Sequence, residues 1–243
     1  MAKFGLIGRN IAYSFSKRFF SEKFERENLV HTYENFDISS IQKFQKILQE
    51  TPHLKGLNVT IPYKEEIIPF LDSLDADAEK IGAVNTIKIS EERKLIGYNT
   101  DHFGFQKSLE AFLPLQQKTA LILGTGGASK AVAYALHKLG FEFKFVSRKK
   151  TTAGLLYSEM DKSTIENHPL IINCTPLGTF PNIADCPPLP YQFLTKNHLL
   201  FDLIYNPAET EFLKRGKIQG AQTTNGLKML ELQAEKAWEI WNS

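Results

Sequence analysis

Residues 119–129 read TALILGTGGAS, and this stretch decides the fold. Residues 119–123 are an apolar run of strand length, residues 124–127 a glycine turn, and the segment to about Leu139 has helical spacing. Residues 141–146 supply another strand. Strand, glycine turn, helix and strand in this order form the dinucleotide-binding half-unit. A side chain on Gly126 would block the approach of a pyrophosphate. A helix starting at Gly127 points unpaired N–H groups and a partial positive charge at the same place. Ser129 replaces the third glycine of the GxGxxG pattern, and a glycine turn also closes ordinary strand-to-helix connections, so the reading rests on context.

Just downstream, Ser147, Arg148, Lys149 and Lys150 stand where an NAD-binding protein places a carboxylate for the ribose 2′-OH. A guanidinium holds a 2′-phosphate in bidentate fashion and lysines add point charge, so the cluster favours NADP over NAD. A solvated loop with incidental charge is the plainer alternative. Residues 170–172 and 199–204 read as further strands, with turn chemistry after each at Pro176 and Pro207. Pro181, Pro187, Pro188 and Pro190 mark a loop. Residues 227–241 read as one amphipathic helix, with Trp238 and Trp241 expected to pack it into a core.

Upstream, the chain alternates in the same way. Residues 4–8 are a strand and 17–28 a helix, with Phe19, Phe20 and Phe24 suitably spaced. A second strand over 31–38, a helix over 40–49 carrying Ile41, Phe44, Ile47 and Leu48, and a strand over 56–61 follow. These connections imply parallel pairing. Residues 64–81 are broken helix, and the runs 83–89 and 94–98 around the polar segment 90–93 suggest a hairpin. The expected organisation is α/β: a mixed-sheet domain of residues 1–101 plus 227–243, and a Rossmann-like nucleotide domain of residues 102–226.

The whole sequence has 243 residues with 42% hydrophobic and 23% charged content, enough for a sizeable core. Its 29 basic and 27 acidic residues leave a net charge of +2, which argues against a nucleic-acid partner. Cys174 and Cys186 form no CxxC pair and no metal-ligand pattern, so neither a disulfide framework nor a metal site is expected. The apolar run at residues 4–7 is too short for a signal peptide or a membrane span, and a cytoplasmic location is the expectation.

Polar residues gather at the ends of the expected strands: Ser14 and Ser16, Asn58 and Thr60, Asn85 and Thr86, and Asn99 to Asp101. Carboxyl ends of strands in open α/β sheets face the ligand crevice. Each residue has a local alternative: Ser16 as a helix N-cap, Asn85 as a bulge or a satisfied strand amide, Asp101 as the N-cap of a helix through Phe105 and Leu109. Lys64, in the segment NVTIPYK (58–64), would stand in a first helical turn. Most lysines are simply solvated, so Lys64 gains meaning only from this set. Together they suit a small polyhydroxylated ligand.

YSFSK (13–17), NVTIPYK (58–64), GAVNT (82–86), NTDHFG (99–104), GTGGAS (124–129), INCTPLG (172–178), DLIYNP (202–207) and TNGLKMLELQ (224–233) resemble, in order, the motifs of shikimate dehydrogenases. The resemblance covers nearly the whole chain. It implies NADP-linked interconversion of 3-dehydroshikimate and shikimate in aromatic amino-acid biosynthesis. Separately, a monomer or homodimer acting on a small molecule, away from membranes, is the expectation. The resemblance also implies that Lys64 and Asp101 are the catalytic pair, and that Ser14, Ser16, Asn58, Thr60, Asn85, Asp101, Tyr205 and Gln233 contact the substrate. Gly124, Gly126, Gly127 and Ala128 would lie under the cofactor phosphates, and Ser147, Arg148 and Lys149 at the ribose phosphate. Thr175 and Gly226 complete the implied cofactor set. The carboxy-terminal helix would return to the first domain and so bring Gln233 to the substrate.

The chain departs from the family pattern in three places. Lys17 follows Ser16 where a proline is usual, Ser147 and Lys149 flank Arg148 where Asn and Thr are usual, and residues 151–169 look too short for the usual helix and following strand. A quinate or dual quinate/shikimate dehydrogenase, with possible NAD use, shares the motifs; the Ser14 and Ser16 pair favours shikimate. A methylenetetrahydrofolate dehydrogenase would need a Tyr-x-x-x-Lys spacing that Tyr63 and Lys64 lack. A noncatalytic ligand-sensing regulator on the same fold is the alternative of another class, and the retention of both Lys64 and Asp101 argues against it.

Overall fold

The computed structural model describes residues 1–12, 14–149 and 154–243; Tyr13 of the first motif, Lys150 of the basic cluster and residues 151–153 of the short stretch lie outside them. The chain forms two compact units, Met1–Phe103 with Gln233–Ser243, and Gly104–Leu232.

The first unit contains β1 (Lys3–Gly8), α1 (Phe15–Arg26), β2 (Thr32–Asp37), α2 (Phe44–Glu50), β3 (Leu54–Val59), β4 (Ser73–Leu74), α3 (Ala76–Ile81), β5 (Thr86–Ile89) and β6 (Leu95–Tyr98). Among the described residues these strands order as β2-β1-β3-β5-β6-β4. β1 pairs in parallel with β2 and β3, and β5 is antiparallel to both β3 and β6, so the sheet is mixed. The period-two alternation of a strand places Ile7 in one apolar layer with Phe44, Leu57 and Tyr63. Phe4 and Leu6 join the opposite layer with Phe20, Phe24, Tyr33 and Trp241. Phe20 and Phe24, one turn apart on α1, are both buried, and each contributes about 1.5–3 kcal/mol. Gly56 is required here, because a Cβ on it would come within 2.3 Å of Trp241 Nε1, which donates to the Ile87 carbonyl.

Local expectations are corrected at several places. The cap of α1 is Ser14, not Ser16: the Lys17 N–H donates to Ser14 Oγ at 3.3 Å. A proline at position 17 would have no N–H to give, so the departure from the family pattern creates this cap. Lys64 does not stand on an α-helix; residues 61–67 are turns, followed by a 3-10 turn at Ile68–Phe70. Pro69 removes the N–H that a helix would direct at the Glu65 carbonyl. The strand expected from residue 83 begins at Thr86. The short strand β4 carries no periodicity and escaped the sequence reading.

In the second unit α4 (Asp101–Leu109) leads to β7 (Thr119–Leu123), α5 (Gly127–Lys138), β8 (Glu142–Ser147), β9 (Leu155–Leu156), α6 (Lys162–Glu166), β10 (Leu170–Asn173), β11 (Leu199–Asp202), α7 (Glu211–Ile218), β12 (Gln222–Thr224) and α8 (Leu227–Asn242). The order β12-β11-β10-β7-β8-β9 is parallel throughout. It is the doubly wound order of dinucleotide-binding folds, with the direction of winding reversing between β7 and β10. Both faces are covered, as apolar runs require: Ala120, Ile122, Leu170, Ile172 and Phe201 pack on one side, and Leu121, Leu123, Ile171 and Leu200 on the other. Residues 154–169 hold only the two-residue strand β9 and, after it, the five-residue helix α6; among the described residues no helix precedes β9.

The divisions between units fall inside α4 and α8, at 103/104 and 232/233, rather than at the expected 101/102 and 226/227. Asp101 is the first residue of α4 and not its cap; Asn99 Oδ1 accepts from the Asp101 N–H at 3.1 Å and from the His102 N–H at 3.4 Å. Among the described residues no helix is long and apolar enough to cross a membrane.

Candidate active site

The carboxyl ends of β3 and β6 and the residues before β5 carry a buried polar cluster in the first unit. Lys64 Nζ donates to Asp101 Oδ2 at 2.5 Å, and the two side chains are 16% and 9% exposed, shielded yet reachable. Their backbones are fixed independently: the Lys64 carbonyl accepts from the Val84 N–H at 2.7 Å, and Asn99 caps the turn that carries Asp101. Asn85 Nδ2 donates to Asp101 Oδ1 at 2.8 Å and lies 3.4 Å from Gln233 Oε1, while Asn85 Oδ1 accepts from the Thr100 N–H at 2.7 Å. Thr100 Oγ1 donates to Gln233 Oε1 at 3.2 Å. Asn85 is therefore a satisfied amide at the entry to β5, one of the two alternatives read from sequence. An ammonium has three donors, and the bond to Asp101 engages one of them.

A second chain of bonds begins at Tyr33. Its hydroxyl donates to Asn58 Oδ1 at 2.8 Å, and Asn58 Nδ2 reaches the Asn85 carbonyl at 3.3 Å and Thr86 Oγ1 at 3.2 Å. Ser16 hydrogen-bonds the same hydroxyl, and burial pushes the Tyr33 phenol well up. Ser14 and Thr60 are half-buried, the Thr60 N–H donating to the Ile7 carbonyl at 2.9 Å. The first unit thus brings together Ser16, Asn58, Lys64, Asn85, Asp101 and Gln233 in linked bonds, with Ser14 and Thr60 on adjoining segments. Tyr205 belongs to the second unit, half-buried after β11.

In the second unit the glycine turn follows β7 at the reversal of strand order. Gly124 has φ +104°, and a Cβ on it would lie 3.2 Å from Thr175 Cγ2. A Cβ on Gly126 would meet nothing within 4 Å, so the space before the first turn of α5 is open. Gly127 and Ala128 begin α5, and the buried Ser129 closes the turn by donating to the Gly126 carbonyl at 2.6 Å. Ser147 ends β8, its hydroxyl bonded to the Lys149 carbonyl, and Arg148 and Lys149 are exposed. Gly226 is needed for packing, since a Cβ there would lie 2.1 Å from the Leu203 carbonyl oxygen. An open glycine cradle at a helix start, followed by cations where a carboxylate would hold a 2′-OH, fits a 2′-phosphorylated dinucleotide.

A family profile for the shikimate dehydrogenase substrate binding domain matches residues 6–87. Shikimate dehydrogenase (NADP(+)) from Clostridium botulinum is 39% identical over 98% of this chain and 95% of its own length. The chain belongs to the shikimate dehydrogenase family. The solved shikimate 5-dehydrogenase of Thermus thermophilus, in complex with NADP(H) and shikimate, is 31% identical and superposes with a TM-score of 0.88 over 99% of this chain and 93% of that one. The quinate dehydrogenase of Corynebacterium glutamicum, in complex with NAD, is 26% identical with a TM-score of 0.87 over 99% and 93%.

Within the shikimate dehydrogenase frame, sequence reading did not single out Tyr33, which bonds Asn58, or Asn173 and Asp202, which bond one another. Tyr33 had a signal, a phenol among the alternating residues of a strand beside β1. The others lie inside the quoted motifs, but only the folded chain shows what they bond.

Proposed function

We propose that this chain catalyses the reversible NADP-linked interconversion of 3-dehydroshikimate and shikimate, a step of aromatic amino-acid biosynthesis. The Lys64–Asp101 pair, 2.5 Å apart within a buried polar network, carries the reading, because it supplies a fixed proton donor in a family of that activity. NADPH, when bound, supplies the hydride that reduces the ketone carbon.

Lys64 Nζ faces the ketone oxygen, stabilises the negative charge that develops there and delivers a proton to it; in the oxidative direction Nζ takes the hydroxyl proton back. Asp101 Oδ2 orients Nζ, and Asn85 holds Asp101 by its other oxygen. Ser14, Ser16, Asn58, Thr60, Asn85, Tyr205 and Gln233 contact the substrate hydroxyls and carboxylate, and Asp101 holds one hydroxyl beside Lys64. Gly124, Gly126, Gly127 and Ala128 lie under the dinucleotide phosphates. Ser147, Arg148 and Lys149 hold the 2′-phosphate, and Thr175 and Gly226 complete the cofactor contacts. The net charge of +2 and the two cysteines support a cytoplasmic enzyme of small molecules.

The test is a spectrophotometric assay of NADPH formation from shikimate and NADP by the purified chain. Robust turnover is expected with shikimate and much less with quinate at equal concentration. Turnover of quinate alone, or of neither, would sink the reading.

A further inference from the structure

Asp202, at the carboxyl end of β11, is fully buried. Its Oδ1 accepts from Asn173 Nδ2 and from the Ile204 N–H, each at 3.0 Å, and its Oδ2 accepts from Thr210 Oγ1 at 2.6 Å. These partners are neutral. Burial pushes the carboxyl up to about 6 although all three bonds pull it down. An amide of the same size would fill this space without a buried charge, so packing alone does not account for the carboxylate.

Asn173 connects that charge to the turn after β10. With Nδ2 turned to Asp202, its Oδ1 accepts from the Thr175 N–H at 3.0 Å and from Thr175 Oγ1 at 2.7 Å. An ionised carboxylate accepts and never donates, so it admits only the Nδ2 end of Asn173. The flipped amide would set Oδ1 against an anion and leave the Thr175 N–H facing another donor. Thr175, held in this way, walls the space beside Gly124.

We propose that Asp202 is a positioning residue for the dinucleotide: its carboxylate locks the Asn173 amide and, through it, the Thr175 turn that faces the glycine turn. The proposal rests on the NADP reading above. Its consequence is that the charge on Asp202 is felt in cofactor affinity and not in turnover. The other titratable groups coupled to it are the Cys174 thiol and the Tyr191 phenol, both pushed upward by burial and by Asp202 itself. Both therefore stay neutral below pH 8, and Asp202 is the member that titrates.

The experiment compares Asp202→Asn with the wild-type full chain, measuring NADP binding by isothermal titration and steady-state kinetics between about pH 5 and pH 7.5. The amide has one acceptor oxygen where the carboxylate has two and carries no charge, so it holds the Asn173 amide more weakly and loosens the lock. The variant's Kd and KM for NADP are expected to rise at least about tenfold at pH 7.5, with kcat and the KM for shikimate within about twofold. The ratio of variant to wild-type Kd is expected to shrink toward one near pH 5, where wild-type Asp202 is protonated; the ratio cancels titration of the cofactor's own phosphate. Thr210→Val, which keeps the charge but removes one bond to it, is expected to move the midpoint of the wild-type pH dependence upward. A Kd ratio of one at every pH, an unmoved midpoint in Thr210→Val, or a joint fall of kcat and both KM-based parameters with the melting temperature would overturn the proposal. A wild-type chain that binds no NADP would instead refute the functional reading on which it stands.

Discussion

Lys64 and Asp101 meet at 2.5 Å although 37 positions separate them in the sequence. Neither is held by the other alone. The Lys64 carbonyl is tied to Val84, and Asp101 begins a helix whose first N–H groups are taken by Asn99. In the proposed reaction the pair is therefore arranged before a substrate arrives, with little reorganisation left for the chemical step.

Lys64→Ala is expected to lower kcat by at least about 100-fold, the low end for lost general acid-base help, with much less change in KM. Steady-state rates with shikimate and NADP decide it; near-normal turnover removes Lys64 from the chemistry.

Arg148→Ala is expected to weaken NADP by about tenfold or more and to leave NAD nearly unchanged, because in the proposed binding mode the guanidinium reads the 2′-phosphate that NAD lacks. Equal losses for the two cofactors would show that Arg148 does not make that distinction.

Gly126→Ala separates cofactor binding from folding. Among the described residues, its chain neighbours aside, no atom lies within 4 Å of the new methyl group, so the thermal midpoint is expected to stay put. The methyl enters the space proposed for the pyrophosphate, and the KM for NADP should rise at least about tenfold. An unchanged KM would place the phosphates elsewhere.

Tyr33→Phe removes the hydroxyl that orients Asn58 and that Ser16 also contacts. A lost internal hydrogen bond is worth about 1 kcal/mol, so the KM for shikimate is expected to rise roughly fivefold with a smaller effect on kcat. A drop in kcat alone would argue that Tyr33 serves the reacting centre and not substrate placement.

The Asp202 carboxyl also sets a pH dependence of stability. Its folded value of about 6 lies above the ordinary 3.8, so the folded chain binds the extra proton between these values and stability rises as pH falls through this window. The difference corresponds to about 3 kcal/mol, present below pH 4 and lost above pH 6. Measured by denaturant unfolding, Asp202→Asn is expected to exceed the wild type most at pH 7.5 and to converge with it near pH 4. A constant gap across that range would contradict the assignment.

The sequence made the fold legible where apolar runs were closed by glycine, as at β7 and α5, or split by a polar segment, as in the hairpin of β5 and β6. Two-residue strands such as β4 and β9 were invisible because they contain no period to detect. At Lys64 the reading went astray for a different reason: the segment after Asn58 looks like a strand running into a capped helix. A bond from Val84, distant in sequence, holds the Lys64 backbone in turns instead. The site residues were legible as a set of polar side chains at strand ends. Bonds among distant residues were not, because Tyr33 reaches Asn58, Asp101 reaches Asn85 and Asp202 reaches Asn173 only in the folded chain.

Helix α8 starts in one unit and ends in the other, carrying Gln233 and Trp241 into the first. On the ribosome, residues 104–232 therefore emerge while the earlier-made unit still lacks the indole that fills the space beside Gly56. The unit whose synthesis begins first is therefore completed by the last helix to be made, and its aromatic layer closes only when Trp241 arrives.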